Sequence, residues 1–383
     1  YFDTSRTTVF PNGTRETNRV EQRNDYLFGR LDAQVFDKLR VSGTYSYSPQ
    51  TINGGILGFG ATSSIGDQSQ RGGRVNASNF TYQATYTPTP NWVINIRGGR
   101  GFLNELDASY GVPNALRVRC LGSGTVLGSL PDFGCGASNT VGFDNIGNNS
   151  VTNRDVSIRN TFDADAQVLI NNFGGRHIFK FGYQLNRLEN DVDSGFFNTG
   201  RIDFFFGQTA FGIGSPLGNA QLTRFGTVGE TSSKNQALYV QDSWSPFKNL
   251  TLNLGLRIEK EDVPSFSENG VPIEFDWDDK IAPRIGGAYD LFGNGKSKIF
   301  ASYGWFYDRF KYELPRGSFG GDQFLRTFIP ILATDTVNTF TSIQSFLAAA
   351  TARDGITLDF RVPSNDPSDN RIDPDLKAQR MSE

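Results

Sequence analysis

The stretch LFGRLDAQVFDKLRVSGTYSY, residues 27–47, decides the fold class of this chain. In Lys38 to Tyr47, apolar or small residues alternate with polar ones, and Leu27 to Val35 alternates in the same way. A period of two is typical of a β-strand with one apolar and one polar face. Only Phe36 and Asp37 separate the two segments, so the stretch predicts two antiparallel strands joined by a tight turn.

The same pattern recurs four more times along the chain. Alternating pairs of segments lie at Phe80–Tyr86 and Trp92–Arg97, Phe162–Ile170 and Phe179–Asn186, Gln236–Trp244 and Thr251–Glu259, and Pro283–Tyr289 and Ile299–Tyr307. Among them, Gln236–Trp244 alternates poorly. The sequence therefore predicts about ten strands of about ten residues, arranged as five hairpins.

The connections between these strands alternate in length. Short turns join the two strands of each pair, whereas long connections separate the pairs. These long connections occupy residues 49–73, 101–150, 190–234, 262–279 and 308 onward. Loops longer than about 15 residues are uncommon in compact soluble domains. Short turns on one side and long loops on the other are typical of antiparallel outer-membrane β-barrels, in which the turns are periplasmic and the loops extracellular.

Composition supports a membrane barrel. The 383 residues include 33 Phe, 13 Tyr and 43 Gly, and no apolar run reaches the roughly 18 residues that a transmembrane helix needs. A closed β-barrel is the other structure that can span a bilayer. The aromatic excess then predicts girdles at the two membrane interfaces, with Trp92, Trp244 and Trp305 near strand ends as candidates. A soluble β-sandwich, which also alternates polar and apolar residues, is the less favoured alternative.

Charged residues on the polar sides of the strands predict a wide lumen. Burying such charges in a narrow barrel would be costly, whereas a water-filled or plugged lumen hydrates or pairs them. Ten strands are therefore expected to be only part of the barrel. The residues predicted to face the lumen are Arg30, Asp32, Asp163, Asp165, Arg257 and Glu259.

Two cysteines, Cys120 and Cys135, lie in one Gly-rich connection. In an oxidising compartment they are expected to form a disulfide within a surface loop, and two unpaired thiols are the alternative.

Two other long connections contain apolar segments. Phe204–Phe206 is expected to pack its loop onto the barrel rim, and Phe328–Ala350 is expected to contain a short helix.

Catalytic, metal and nucleic-acid sites are not predicted. The single histidine, His177, opens a strand and is expected to be a surface residue at the periplasmic edge. The acidic segments Asp276–Asp279 and Asp366–Asp375 lack the EF-hand spacing and are interpreted as solvated loop charge. No motif of a hydrolase or zinc protease is present, and a net charge of -3 offers no basic surface for nucleic acid. We therefore expect neither an enzyme nor a cofactor.

Three C-terminal segments carry a resemblance to a known family. QALYVQDSWSPFKNLTLNLGLRIE (residues 236–259) resembles a barrel hairpin of TonB-dependent outer-membrane receptors. IAPRIGGAYDLFGNGKSKIFASYGWFYD (residues 281–308) looks like the next hairpin, and IDPDLKAQRMSE (residues 372–383) is similar to the segment that leads into the last strands. Ala378 stands where this family usually has proline. The resemblance is closest to the Oar-like receptors, which carry an N-terminal carboxypeptidase-regulatory-like domain.

This resemblance implies a barrel of about 22 strands in the cell outer membrane, plugged by an N-terminal domain. It implies energised uptake of an unidentified extracellular ligand, with the TonB complex and outer-membrane lipid as partners. Residues 1–383 are expected to be one part of that barrel domain. The plug, the TonB-contacting N-terminal region and the final strands are expected to lie outside this chain. A non-energised porin or adhesin barrel is the alternative, and a soluble secreted β enzyme is a third and weaker one.

Overall fold

A computed structural model describes residues 1–11, 13–56, 68–107, 116–136, 139–145, 152–264, 272–310, 322–361, 373 and 376–383. The strands in these residues are β1 (Phe2–Val9), β2 (Arg15–Asn24), β3 (Leu27–Phe36), β4 (Leu39–Gly54), β5 (Gly72–Tyr86), β6 (Trp92–Asp107), β7 (Arg117–Gly122), β8 (Thr152–Ile170), β9 (Arg176–Gly195), β10 (Arg201–Phe206), β11 (Gly218–Phe247), β12 (Leu250–Val263), β13 (Ile273–Asp290), β14 (Lys298–Tyr307), β15 (Asp322–Pro330), β16 (Ile356–Asp359) and β17 (Arg380–Ser382). The helices are α1 (Gly124–Gly128), α2 (Ile343–Ala352) and a 3-10 turn at Gln68–Gln70.

Most strands form one antiparallel sheet, the wall sheet, in which neighbours along the chain are usually neighbours in space. From β4 the pairing runs β4–β5–β6–β8–β9–β11–β12–β13–β14–β17. On the other side of β4, β3 pairs with one half of that strand and β2 with the other half, and β1 pairs with β2. Thus β2 and β3 are nearly continuous and are interrupted only at Asp25 and Tyr26.

The five predicted hairpins are confirmed as β3–β4, β5–β6, β8–β9, β11–β12 and β13–β14. The hairpin of β1 and β2 was not predicted from the sequence. Its strands, FDTSRTTV and RETNRVEQRN, are largely polar and carry little hydrophobic alternation. Backbone pairing and polar cross-strand contacts such as that between Arg19 and Asp3 hold them together, so the alternation criterion could not detect them.

The strands are longer than predicted. β8, β9 and β11 contain 19, 20 and 30 residues, whereas about ten suffice to cross a membrane. The ladders therefore continue beyond the alternating segments, at the end of the sheet that holds the long connections. The interpretation of residues 190–234 as loop was wrong in large part, because they contain the end of β9, all of β10 and the first half of β11.

A second, smaller sheet is built from the long connections, and we call it the loop sheet. It has the order β7–β10–β11–β15–β16, in which β7 and β10 are parallel and the other pairs antiparallel. β11 belongs to both sheets, because residues 219–227 pair with β15 and residues 226–245 pair with β9. The loop sheet is thus a direct extension of the wall.

One face of the loop sheet covers a hydrophobic core. Phe204 and Phe206 are fully buried there against Phe133, with ring centroids 4.9 Å apart in each case. This confirms that the Phe204–Phe206 segment packs the loop. Cys120 and Cys135 are joined by a disulfide in the same core. The remaining buried members are Val118, Leu127, Ile202, Ala220, Leu222, Ile329, Ile331, Phe340, Ile343, Phe346 and Ala350.

Helix α2 confirms the short helix predicted within Phe328–Ala350. It begins after Ser342, whose side chain accepts a hydrogen bond from the backbone of Ser345 in a capping box. Phe346 points from α2 into the loop core. Phe328 to Pro330, by contrast, belong to strand β15. Within the described residues, no helix has both the length and the apolar character that crossing a membrane would require.

Candidate functional site

The strand register brings charged residues from six strands onto one surface of the wall sheet, the polar face. Directly paired residues of antiparallel strands lie on the same face. Arg97 pairs with Asp163, Asp163 pairs with Gln184, and Tyr239 pairs with Arg257. The residues of the polar face include Arg30, Asp32, Arg97, Asp163, Asp165, Lys180, Gln184, Tyr239, Arg257, Glu259 and Arg284.

Asp165 is almost fully enclosed on this face, with 3% of its side chain exposed. Its Oδ2 accepts a hydrogen bond of 3.1 Å from Asn95 and lies 3.8 Å from Lys180 Nζ. Its Oδ1 lies 3.4 Å from Arg97 and makes no hydrogen bond. Arg97 also approaches Asp163 at 3.9 Å. The two aspartates and two cations therefore form one cluster across β6, β8 and β9.

A second cluster adjoins the first. Arg257 donates to Glu259 on its own strand and, at 2.7 Å, to Gln184 Oε1 on β9. Asp163, Gln184, Arg257 and Glu259 line a cavity of about 190 Å³. Arg97, Lys180, Gln184, Tyr239 and Arg257 line another of about 260 Å³. These recesses make the polar face a surface that a polar partner or water can fill.

Arg30 and Asp32 lie apart from these clusters, although they share the polar face. They pair with each other on β3, with Nε 2.6 Å from the carboxylate, and both side chains are about half exposed. A shallow cavity of about 400 Å³ surrounds them, and its lining includes Lys38 and Arg40. The structure therefore brings four of the six predicted lumen-facing residues together, beside Gln184, Tyr239 and Arg284, which are not among those six. Gln184 lies at a polar position of an alternating segment, and the cross-strand register places Tyr239 and Arg284 on the same face.

The opposite surface of the wall sheet, the apolar face, exposes large hydrophobic side chains. Between 42% and 57% of the residue surface is exposed at Leu238, Val240, Leu254, Leu256 and Ile285. A contiguous surface of this kind would be unfavourable in water and is typical of lipid contact. The alternation seen in the sequence thus corresponds to two chemically distinct faces.

The three tryptophans singled out in the sequence lie on the apolar face, at opposite ends of the strands. Trp92 and Trp244 stand beside short turns, and Trp92 makes an edge contact with Phe181, with ring centroids 6.5 Å apart. Trp305 lies toward the other end, next to β17, with the Arg380 guanidinium 4.3 Å from its ring centre. Each indole combines an apolar ring with an N–H donor, as suits a membrane interface.

The prediction that His177 is a surface residue was wrong, because the residue is buried and only 6% exposed. Its ring is stacked against Phe179 and Trp244, with centroids 5.3 and 5.5 Å away. Its Nδ1 lies 2.7 Å from Asp242 Oδ2, and its Nε2 lies 2.7 Å from the Phe173 carbonyl oxygen. This pairing explains the poor alternation of Gln236–Trp244, since Asp242 lies on the apolar face where His177 partners it.

Among the described residues, no group of three or more histidine, cysteine, aspartate or glutamate side chains is arranged to hold a metal ion. Asp276 is largely exposed and interacts instead with Lys260, at 3.3 Å. Asp366, Asp369 and Asp375 lie outside the described residues.

Known proteins resemble the chain in sequence and fold. The sequence profile of the family described as "Outer membrane beta barrel domain" matches residues 3–383. A curated relative, named TonB-dependent transporter Oar, from Myxococcus xanthus, is 26% identical over 338 residues. That match covers 81% of this chain and 31% of the relative, so the chain spans about a third of the relative's length.

A solved structure, the outer membrane transporter YddB from Escherichia coli, matches with a TM-score of 0.52. The identity is 14%, and the match covers 86% of this chain and 41% of that chain. At this identity the match bears on the fold alone, and with the family profile it confirms the predicted outer-membrane β-barrel. The proteins named in these comparisons are transporters rather than enzymes, in agreement with the sequence prediction.

Proposed function

We propose, from the premise that this chain belongs to the outer membrane beta barrel domain family, that it forms part of the wall of a TonB-dependent transporter. The chain accordingly resides in the outer membrane. The proposed transporter takes up an extracellular ligand with energy delivered through the TonB complex. Support comes from the relative named TonB-dependent transporter Oar, of which this chain spans about a third. The ligand, the energised step and the contact with TonB are parts of the proposal.

The polar face is the observation that carries the proposal. Most of its charges are paired within the wall, whereas the buried Asp165 Oδ1 makes no hydrogen bond. Arg284 has its guanidinium 4.5 Å from the Phe306 ring centre. A wall of this kind suits a lumen filled by a polar partner better than a narrow, self-packed barrel. We therefore assign the polar face to the lumen, where a plug domain supplied by sequence outside residues 1–383 would cover it.

The apolar face then contacts lipid, and the aromatic residues mark its borders. Trp92 and Trp244, next to the short turns, would lie at the periplasmic interface. Trp305 would lie toward the extracellular interface. The loop sheet, with the disulfide of Cys120 and Cys135, would stand outside the membrane, where disulfides persist.

Conductance and TonB binding of the full-length protein test the proposal together. A plugged transporter in a planar lipid bilayer is expected to show no steady open-channel conductance and to bind the periplasmic C-terminal domain of TonB in a pull-down assay. Deletion of the N-terminal TonB-contacting segment from the full-length protein provides the control and should abolish the binding. Stepwise open conductance without TonB binding would instead support the porin alternative.

A further inference from the structure

Four arginines lie together on the face of the loop sheet that is turned away from its hydrophobic core. We call this surface the arginine face and define it by Arg117, Arg119, Arg201 and Arg326. On β10, Arg201 and Asp203 alternate with the buried Ile202 and Phe204. Across the sheet the register gives one row, Arg117–Arg201–Thr223–Arg326, and places Arg119 beside Asp203 in the next row.

Cations outnumber carboxylates on this face. Arg119 and Arg201 share the single carboxylate of Asp203, at 2.6 and 3.0 Å, and that side chain is only 1% exposed. Arg117 is paired separately with Asp144. Among the residues that the structure describes, Arg326 has no carboxylate partner, and its buried Nε makes no hydrogen bond. Its guanidinium instead lies 4.7 Å from the ring centres of both Phe324 and Phe360.

These guanidinium groups are partly removed from water without full compensation. Burial lowers the pKa of both Arg201 and Arg326, and the nearby Asp203 acts in the opposite direction on each. Partial burial of an unpaired cation costs free energy, and a charge-assisted hydrogen bond to an anion would offset that cost. Arg119 and Arg201 nevertheless remain accessible, with 27% and 22% of their side chains exposed.

The arginine face continues the polar face of the wall. β11 pairs without a register shift with β15 over residues 219–227 and with β9 over residues 226–245. Alternation along β11 is therefore unbroken, and Thr223 lies on the same side of the strand as Tyr239 and Gln241. A ligand bound to the arginine face would thus stand above the polar face rather than on the lipid-facing side.

We propose that Arg119, Arg201 and Arg326 bind oxyanion groups, carboxylate or phosphate, of the ligand that this protein takes up. The proposal rests on the uptake function proposed above and adds the chemical class of its ligand. Arg201 and Arg326 are separated by one strand, roughly 10 Å across the sheet. That spacing suits a ligand with more than one anionic group. The Phe324 and Phe360 rings, each 4.7 Å from the Arg326 guanidinium, limit its movement through cation–π contacts.

Titration calorimetry on the purified full-length protein tests this proposal. The protein is kept in a zwitterionic detergent free of lipopolysaccharide, and inorganic pyrophosphate and citrate are titrated separately. Saturable binding of at least one probe is expected, and the preferred probe distinguishes phosphate from carboxylate. Arg326→Gln should weaken binding about tenfold, as expected for loss of a charge-assisted hydrogen bond.

Arg224→Gln is the matched control. Arg224 lies on the same strand as Thr223 but on the opposite side, its guanidinium is 4.0 Å from the Phe197 ring centre, and burial lowers its pKa. This variant should bind as the wild type does. Should Arg326→Gln fail to show the heat-dependent gel mobility of a folded barrel, Arg119→Gln replaces it with the same expected loss.

Three results would overturn the proposal: no saturable binding of either probe, unchanged binding by the arginine variant, or an equal loss in Arg224→Gln. The titration requires neither TonB nor transport. A negative titration beside positive TonB binding would therefore reject the arginine face alone. A positive titration beside open conductance would reject energised uptake while leaving the anion site in place.

Discussion

Tyr239 of β11 lies directly over Gly182 of the paired strand β9, on the polar face. A Cβ atom at position 182 would stand 2.7 Å from the Tyr239 hydroxyl oxygen and 2.7 Å from the Ala164 carbonyl oxygen. Both distances are shorter than van der Waals contact allows. Gly182 therefore provides the space in which the phenol crosses the neighbouring strand and reaches the cavity beside Lys180.

Gly182→Ala is expected to destabilise the barrel by about 1–3 kcal/mol, because the ring and the β8 backbone must both shift. Urea unfolding of the full-length protein in lipid vesicles measures the change. Gly255→Ala is the matched control, since a Cβ there would meet its nearest neighbour at an ordinary 3.6 Å on the same face. Equal stability of the two variants would show that Tyr239 does not occupy the position described.

Charged substitutions on β12 distinguish the two faces of the wall. Leu254→Arg places a cation on the apolar face and should cost about 2–4 kcal/mol near the membrane midplane. Asn253→Arg, one residue away on the polar face, should be tolerated because water or a polar partner is available there. The yield of folded, heat-modifiable protein in outer membranes measures both. If Asn253→Arg lowered the yield of folded protein strongly and Leu254→Arg left it unchanged, the lipid and lumen faces would be reversed.

Lys280 and Glu261 form an ion pair in which the two side chains are only 1% and 2% exposed. Glu261 also accepts a hydrogen bond of 3.0 Å from the Phe310 backbone, and Lys280 lies 4.7 Å from the Phe275 ring centre. Lys280→Met alone leaves a buried carboxylate unpaired and should cost about 3–5 kcal/mol, whereas the double variant with Glu261→Met should cost much less.

Lys260→Met is the control for this pair, because Lys260 bonds to the exposed Asp276 on the same two strands. Loss of an exposed pair should cost at most about 1 kcal/mol. Urea unfolding in vesicles compares the three variants. A cost for Lys280→Met no greater than that for Lys260→Met would contradict the buried ion pair.

The disulfide of Cys120 and Cys135 is expected to stabilise the loop sheet without affecting the membrane wall. It closes a loop over a sequence separation of 15 residues, which corresponds to roughly 3 kcal/mol of loop-closure entropy. Cys120→Ser should therefore make the loop sheet sensitive to limited proteolysis while the barrel keeps its heat-dependent gel mobility. Reaction of the folded, non-reduced wild type with a maleimide would show that the thiols are not bridged.

Local alternation was enough to predict the five hairpins, because each wall strand must present apolar groups to lipid and polar groups to the other side. It failed for β1 and β2, which are largely polar, and for β10, which packs on the loop core rather than against lipid. It also misjudged His177, since burial of that ring depends on Asp242 and Trp244, more than 60 residues away in the chain.

The candidate sites likewise include residues that the sequence identifies and residues that only the structure identifies. Asp163, Asp165, Arg257 and Glu259 could be selected from the sequence because each is a charge at a polar position of an alternating strand. The arginine face could not, because Arg119 and Asp203 are 84 residues apart. No pattern within β7 or β10 indicates that these two short strands pair with each other.

The sequence by itself determined the class of this protein, an outer-membrane β-barrel, and which residues of each wall strand share a face. Contact with lipid requires apolar and polar residues to alternate along every wall strand, so the pattern can be recognised within each strand alone. The tertiary structure alone decided which charges meet, that the long connections fold into a sheet continuous with β11, and that Arg326 has no carboxylate partner within the described part of the chain. Those outcomes depend on cross-strand register, which sets distances between residues far apart in the chain and leaves no local period to read.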